Sequence, residues 1–208
     1  YLQHEVDTEG AIKSLEVLPW IKSSGLTILA LVNNYLDLSR IEDQQLILAH
    51  EAVPLADVLS HIGMQYSGEA RHRKISLEVD CPDPLPVVNG DPLAIDRIFS
   101  NLVYNALKFT PSGGTVTVSG VVHNGEVCVT VADTGPGIAP EDIPTLFDKY
   151  QRATGPRRKG GMGLGLFIVK TLVERQHGRV AVESVVGQGT RFRVAFPIEN
   201  NEGLKIKN

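Results

Sequence analysis

The stretch Asp91-Pro-Leu-Ala-Ile-Asp-Arg-Ile-Phe-Ser-Asn101-Leu-Val-Tyr-Asn105-Ala-Leu-Lys108-Phe-Thr110 decides how this chain is read. Asp91 ahead of Pro92 is a helix-start signal, a side-chain acceptor at the N-cap and then a proline at the first helical position, where the missing N–H costs nothing. Residues three, four and seven apart share one face of a helix. Arg97, Asn101, Asn105 and Lys108 therefore form one polar stripe, and Ile95, Ile98, Phe99, Leu102, Ala106 and Phe109 form the adjoining core face. Amides at the edge of a core cost stability unless something fills their hydrogen bonds, and a metal–nucleotide has the chemistry to fill these.

Three glycine groups follow. Asp133-Thr-Gly135-Pro-Gly137-Ile138 comes at the end of the strand-like Glu126–Asp133. Gly160-Gly161-Met-Gly163-Leu164-Gly165-Leu166 opens a helical run to Gln176, and Gly187-Gln-Gly189-Thr190 precedes a last strand. Singly, each is weak, because glycine serves tight turns everywhere. A glycine run opening a helix cradles anions on free N–H groups in some proteins and has no ligand in many others. Their order and spacing are what is specific.

In that order the motifs resemble those of the ATP-binding catalytic core of sensor histidine kinases, in the superfamily shared with gyrase and the Hsp90-type chaperones. Asn101 to Lys108 matches the family's N box, Asp133 to Ile138 its G1 box and Phe147 to Tyr150 its F box. Gly161 to Leu166 matches G2, and Gly187 to Thr190 matches G3. The likeness runs from about Ile21 to Pro197. It implies a two-layer α/β sandwich of the Bergerat type, with a mixed, mostly antiparallel sheet carrying three helices on one face. A remnant of a helical dimerisation domain would precede it.

The resemblance also implies roles. Asn105 is the expected Mg²⁺ ligand, since Mg²⁺ takes hard oxygens and keeps its waters. Lys108 would hold a phosphate as a point charge. Asn101 stands where hydrolytic members carry a glutamate base, and an amide cannot take a proton from water. Phosphoryl transfer to an imidazole, with little hydrolysis, is the consequence. Asp133 would accept from the adenine amine, with Gly135 and Gly137 leaving room for the purine and Ile138 lining the floor. Residues 147–163 would form a basic, glycine-rich lid, with Tyr150 on it and Arg152 reaching the phosphates. Gly161, Gly163 and Gly165 would let the lid and helix start wrap the triphosphate. Leu164 and Leu166 would anchor that helix, and Gly189 and Thr190 would sit at the rim. ATP and Mg²⁺ are the implied cofactors, a response-regulator receiver domain the implied partner, and a homodimer through the helical domain the implied assembly.

Along the chain, residues 1–46 read as the end of that helical domain. Pro19 to Glu42 is one amphipathic helix with Ile21, Ile28 and Tyr35 every seven residues, a bundle seam. Residues 47–53 read as a linker, 54–199 as the catalytic domain and 200–208 as a polar tail. A second amphipathic helix is expected from Pro54 to His72, and strands at Lys74–Val79, Thr115–Val122, Glu126–Asp133, Arg179–Ser184 and Arg191–Pro197. His123-Asn-Gly125 marks a hairpin.

The phosphoacceptor motif is missing. The only His-Glu is His4-Glu5, followed by Val-Asp-Thr-Glu-Gly, which does not continue the family pattern. The expectation is a chain cut short of its acceptor, or one with an unusual acceptor helix. It would bind ATP but autophosphorylate poorly. Two other functions compete: a non-catalytic nucleotide-dependent switch, and an anti-sigma-type serine kinase. The run Leu36-Asp-Leu-Ser-Arg40-Ile-Glu42 and the bundle helix disfavour the latter.

Composition agrees. The 208 residues are 42% hydrophobic and 21% charged, with net charge −4, as in a globular protein without a basic bias toward nucleic acid or anionic membrane. Cys81 and Cys128 are the only cysteines, too few and too far apart for a disulfide framework or a thiolate metal site. No apolar run reaches the roughly 18 residues needed to span a bilayer. A cytoplasmic piece is expected, with any membrane anchor of the parent upstream.

Overall fold

The computed structural model describes residues 25, 32, 39, 47–82, 84–151 and 163–198. The chain divides into two units, Tyr1–Leu46 and Ile47–Asn208. In the first, Gly25, Val32 and Ser39 are helical; the expected seam, His4 and the acceptor question lie outside the described residues.

The second unit runs β1 (Glu51–Val53), α1 (Leu55–Arg73), β2 (Ser76–Asp80), β3 (Val88–Gly90), α2 (Pro92–Phe109), β4 (Thr115–His123), β5 (Glu126–Asp133), a short 3-10 turn (Ile143–Thr145), α3 (Gly165–Arg175), β6 (Arg179–Val185) and β7 (Gly189–Pro197). Five strands form one sheet in the order β2-β4-β5-β7-β6. Only β2 and β4 pair in parallel; the other neighbours are antiparallel. A parallel pair needs a crossover, and α2 is that crossover. β1 and β3 make a separate antiparallel pair, Val53 opposite Val88. Residues 51–53, expected in the linker, are thus strand. Three-residue strands are too short to show a period, so the pair leaves no sequence signal.

Alternation along the strands separates two faces. Val116 and Val118, Val127, Val129 and Val131, and Phe192, Val194 and Phe196 are buried on one side. Thr117, Ser119, Thr130, Arg191 and Arg193 fall on the other side. The helices cover the apolar side: α1 packs against β2, α2 against β4 and β5, and α3 against β6. Phe99 of α2 meets Phe196 of β7 edge-on, ring centroids 6.5 Å apart. The hairpin forms as expected, with Asn124 and Gly125 both at positive φ, the pairing of a type I′ turn.

Two expectations for α2 change. Val103 and Leu107 are buried as well as Ile95, Ile98, Phe99, Leu102 and Ala106, because α2 packs against α1, α3 and the sheet. Phe109 is instead 38% exposed. It is the last residue of the helix, and the Lys108 ammonium lies over its ring, 5.1 Å from the centroid.

Asp91 does more than cap. Its Oδ1 accepts from the Ala94 N–H (2.9 Å), as the start signal requires, while Oδ2 accepts from the Ala49 N–H (2.9 Å). Its own N–H donates to Oε1 of buried Gln176 (2.8 Å), whose Nε2 donates to the Leu172 carbonyl (3.0 Å). The carboxylate thus ties the incoming chain to the start of α2, and the backbone N–H of the same residue ties both to the end of α3. Asp91→Ala should cost about 2–3 kcal/mol, a lost cap plus a stranded N–H at Ala49. Urea unfolding measures this, and a loss below about 0.5 kcal/mol would show that the tie does not matter.

Candidate functional site

The α2 stripe lies at the open edge of the core. Arg97, Asn101, Asn105 and Lys108 are all half-buried. Asn101 donates its Nδ2 back to the Arg97 carbonyl (3.0 Å), which leaves its Oδ1 directed away from its own helix. That oxygen faces the start of α3: a β-carbon on Gly165 would lie 3.2 Å from Asn101 Oδ1 and 3.9 Å from Asn105 Nδ2. Two motifs sixty residues apart in sequence therefore share one place, with the free N–H groups of an eleven-residue helix beside the two amides. Leu164, Ile168 and Val169 are buried and anchor that helix; Leu166, expected to share the task, is only half-buried.

The second cluster forms at the ends of β5, β7 and β6. Asp133 pairs with Thr190, and Thr190 with Ser184, so the three stand on one rung of three adjacent strands. They continue the inward rows of Val131, Phe192 and Val182, and so point to the helix-covered side. The N–H group of Gly135 donates to the Asp133 carboxylate (2.8 Å). Ser184 Oγ accepts from the Ile138 N–H (2.8 Å), donates to the Gly189 carbonyl (2.9 Å) and meets Thr190 Oγ1 (2.9 Å). The expected pocket residues Asp133, Gly135, Gly137, Ile138 and Thr190 are all brought together here. The α2 end joins them, since a β-carbon on Gly135 would lie 3.3 Å from the Phe109 carbonyl oxygen.

Ser184 was not expected. Its signal was in the sequence: in Arg179–Val185 the inward positions read valine, valine, serine, and a polar residue on a core row asks for a reason. Without the neighbouring strands nothing said what it would meet.

The entrance of the expected lid is described in part. Phe147 packs edge-on against Phe192, centroids 6.3 Å apart, and the Lys149 ammonium lies over the Phe167 ring at 5.0 Å. Tyr150 is 62% exposed and holds φ at +63°, a costly value for a bulky side chain. Gly163 sits against it: a β-carbon there would lie 2.7 Å from the Tyr150 carbonyl carbon and 2.5 Å from the Gln151 carbonyl oxygen. Residues 151 and 163 thus meet at the neck of the segment. Arg152, Gly161 and the basic residues 157–159 lie outside the described residues.

Among the described residues no three His, Cys, Asp or Glu converge as a metal site. The Asn105 amide carries a hard oxygen of the kind that could reach a metal brought by a nucleotide. The half-buried carboxylate of Asp133 accepts the Gly135 N–H and has lone pairs left for a further donor.

Residues 90–200 match the family model described as histidine kinase-, DNA gyrase B- and HSP90-like ATPase, more than half of the chain. This chain belongs to that family. Over 191 residues it is 38% identical to sensor histidine kinase CusS of Escherichia coli, covering 89% of this chain and 38% of that protein. It is 37% identical to histidine protein kinase DivJ of Caulobacter vibrioides, over 86% of this chain and 30% of that one. Among solved structures, full-length ShkA in complex with AMPPNP superposes with a TM-score of 0.74 at 31% identity, covering 84% of this chain and 36% of ShkA. Histidine kinase AdeS of Acinetobacter baumannii, 24% identical with a TM-score of 0.67, shares the fold. The two-layer α/β sandwich with a mixed sheet is the fold of this ATPase family. The chain spans between 16% and 43% of the length of the curated relatives it matches. No helix among the described residues is long and apolar enough to cross a membrane.

Two tests follow from the geometry. Gly189 holds φ at +118°, and a β-carbon would fall 1.9 Å from the Asp133 carbonyl oxygen, so Gly189→Ala must push β7 from β5. A loss of about 3 kcal/mol in denaturant unfolding is expected, and a loss under 1 would show that the strand ends yield easily. The second concerns pH. Burial pushes the Asp133 carboxyl above the ordinary 3.8, against the lowering effect of the Gly135 and Thr190 N–H groups. An acid with a raised folded pKa binds its proton more tightly when folded. Its stabilisation is present at low pH and is lost as pH rises from 3.8 through the raised value. In nucleotide-free protein, the stability of wild type relative to Asp133→Asn should therefore fall as pH rises from about 3.5 to about 7. Urea midpoints across that range read it, and a difference that grows with pH would contradict the burial argument.

Proposed function

We propose that this chain is the ATP-binding catalytic core of a sensor histidine kinase, passing the γ-phosphoryl group of ATP to a histidine imidazole and thence to an aspartate of a response-regulator receiver domain. Its histidine kinase relatives support the activity. The observation that carries the nucleotide reading is the approach of Gly165 to Asn101 and Asn105, which gives phosphates two amides and a helix N-terminus at one end, while Asp133 waits at the other.

In this reading Asp133 accepts one hydrogen of the adenine amine, with Gly135 and Gly137 leaving the base room beside it. Asn105 gives its amide oxygen to the metal, and Lys108 and Arg152 neutralise phosphate charge. Bound Mg²⁺·ATP supplies a γ-phosphorus whose negative oxygens are screened. An imidazole nitrogen forms the new N–P bond as the bond from phosphorus to the ADP oxygen breaks; ADP leaves with the electron pair and the imidazole proton goes to water. The chain's own contribution is positioning and charge neutralisation. Asn101 takes no proton from water, which keeps hydrolysis slow. Partnership with a receiver domain and dimerisation through the helical unit belong to this proposal.

Calorimetry on this chain tests it. ATP should bind with Kd on the order of micromolar in Mg²⁺, about 100-fold weaker in Asp133→Asn, and with altered Mg²⁺ dependence in Asn105→Asp. A folded wild-type chain that binds no ATP would overturn the reading and favour a partner-switching module that keeps only the fold.

A further inference from the structure

Ser184 holds three hydrogen-bond partners, and the chemistry of two fixes the third. A serine hydroxyl has one proton to give and two lone pairs. The Gly189 carbonyl can only accept, so the Ser184 proton goes there (2.9 Å). The Ile138 N–H can only donate, so it takes one Ser184 lone pair (2.8 Å). The contact to Thr190 Oγ1 at 2.9 Å must then be donated by Thr190. That uses the only proton of Thr190. Towards anything else its hydroxyl offers lone pairs alone. Thr190 shares its rung with Asp133, whose ionised carboxylate is also an acceptor without a proton. Two neighbouring side chains on one rung, on the helix-covered side of the sheet, thus carry acceptors and no proton to give.

We propose that Ser184 is a positioning residue of the purine subsite, which by fixing the direction of the Thr190 hydroxyl makes the site select a 6-amino over a 6-oxo purine. An amine at position 6 brings hydrogens to a pair of acceptors, directly or through a bridging water. A 6-oxo group brings lone pairs and meets lone pairs, and a site whose polar groups are left unpaired discriminates strongly. Ser184 also joins the turn after β5, through Ile138, to the start of β7, through Gly189, so that the acceptors keep their spacing. Serine at this place acts through a proton, which neither its size nor its burial would reveal. The inference rests on the nucleotide reading above, with Asp133 at the base.

The test compares ATP with inosine triphosphate, which differs at position 6, in wild type, Ser184→Ala, Ser184→Thr and Thr190→Val, each with its thermal melt. Wild type should prefer ATP. In Ser184→Ala the Thr190 proton is free to turn to the pocket, and the preference should fall about tenfold, the worth of roughly one hydrogen bond. Ser184→Thr keeps the hydroxyl and should keep the preference. Thr190→Val should lower it, and adding Ser184→Ala to Thr190→Val should lower it no further, since both act through one group. Equal weakening of both nucleotides in Ser184→Ala, with the preference intact, would mean that Ser184 only braces the fold, and would overturn the proposal. If Ser184→Ala does not melt cooperatively, the other two variants decide: a preference unchanged in Thr190→Val overturns it. Failure of the nucleotide reading itself looks different, because wild type would then bind neither nucleotide.

Discussion

The register between β5 and β7 is the constraint on which the rest depends. It sets Asp133 opposite Thr190 and Val131 opposite Phe192, and it carries on to Ser184 and Val182 in β6. A slip of one residue would turn the whole row of buried valines and phenylalanines to the solvent side, and the polar rung with them. Burial of Val129, Val131, Phe192, Val194 and Phe196 therefore holds the site's geometry as well as the core. Glycine at 189 permits the close approach at the strand ends, where a β-carbon would run into the backbone of Asp133.

A second level of organisation joins the helices to this sheet end. Gln176 at the end of α3 holds the N–H of Asp91, and Asp91 starts α2, so the two helices that carry the amide stripe and the glycine start are tied at one end by hydrogen bonds. At the other end they approach through Asn101 and Gly165. The phosphate end of the proposed site is thus built between helices and its base end between strands. The two meet where the Phe109 carbonyl comes up to Gly135. This division suits phosphoryl transfer, in which charge has to be held in place while the base provides selection.

The differences between expectation and structure have physical causes. The seven-residue spacing that put Phe109 on the core face of α2 was sound as periodicity, but the helix ends there beside the Gly135 turn, and Lys108 covers the ring instead. Leu166 lies within the same motif as Leu164, yet Leu164, Ile168 and Val169 are the residues that fill the core. The strand at residues 51–53 exists only through its partner at 88–90, and its three residues carry no pattern of their own.

What this sequence determined by itself is local. The proline after Asp91 and the acceptor at the cap start α2; alternation marks β4, β5 and β7; Asn124-Gly125 closes the hairpin; the amides fall on one stripe by the pitch of the helix. Each of these is settled within a few residues, so it can be read in order along the chain. The ordered motifs went further and pointed to the family. Only the tertiary structure decided which motifs touch: Asn101 with Gly165, Gln176 with Asp91, and Asp133, Thr190 and Ser184 on one rung. Those contacts come from strand register and helix packing between segments far apart in sequence, and the proton of Thr190 is assigned only when all three partners of Ser184 are known.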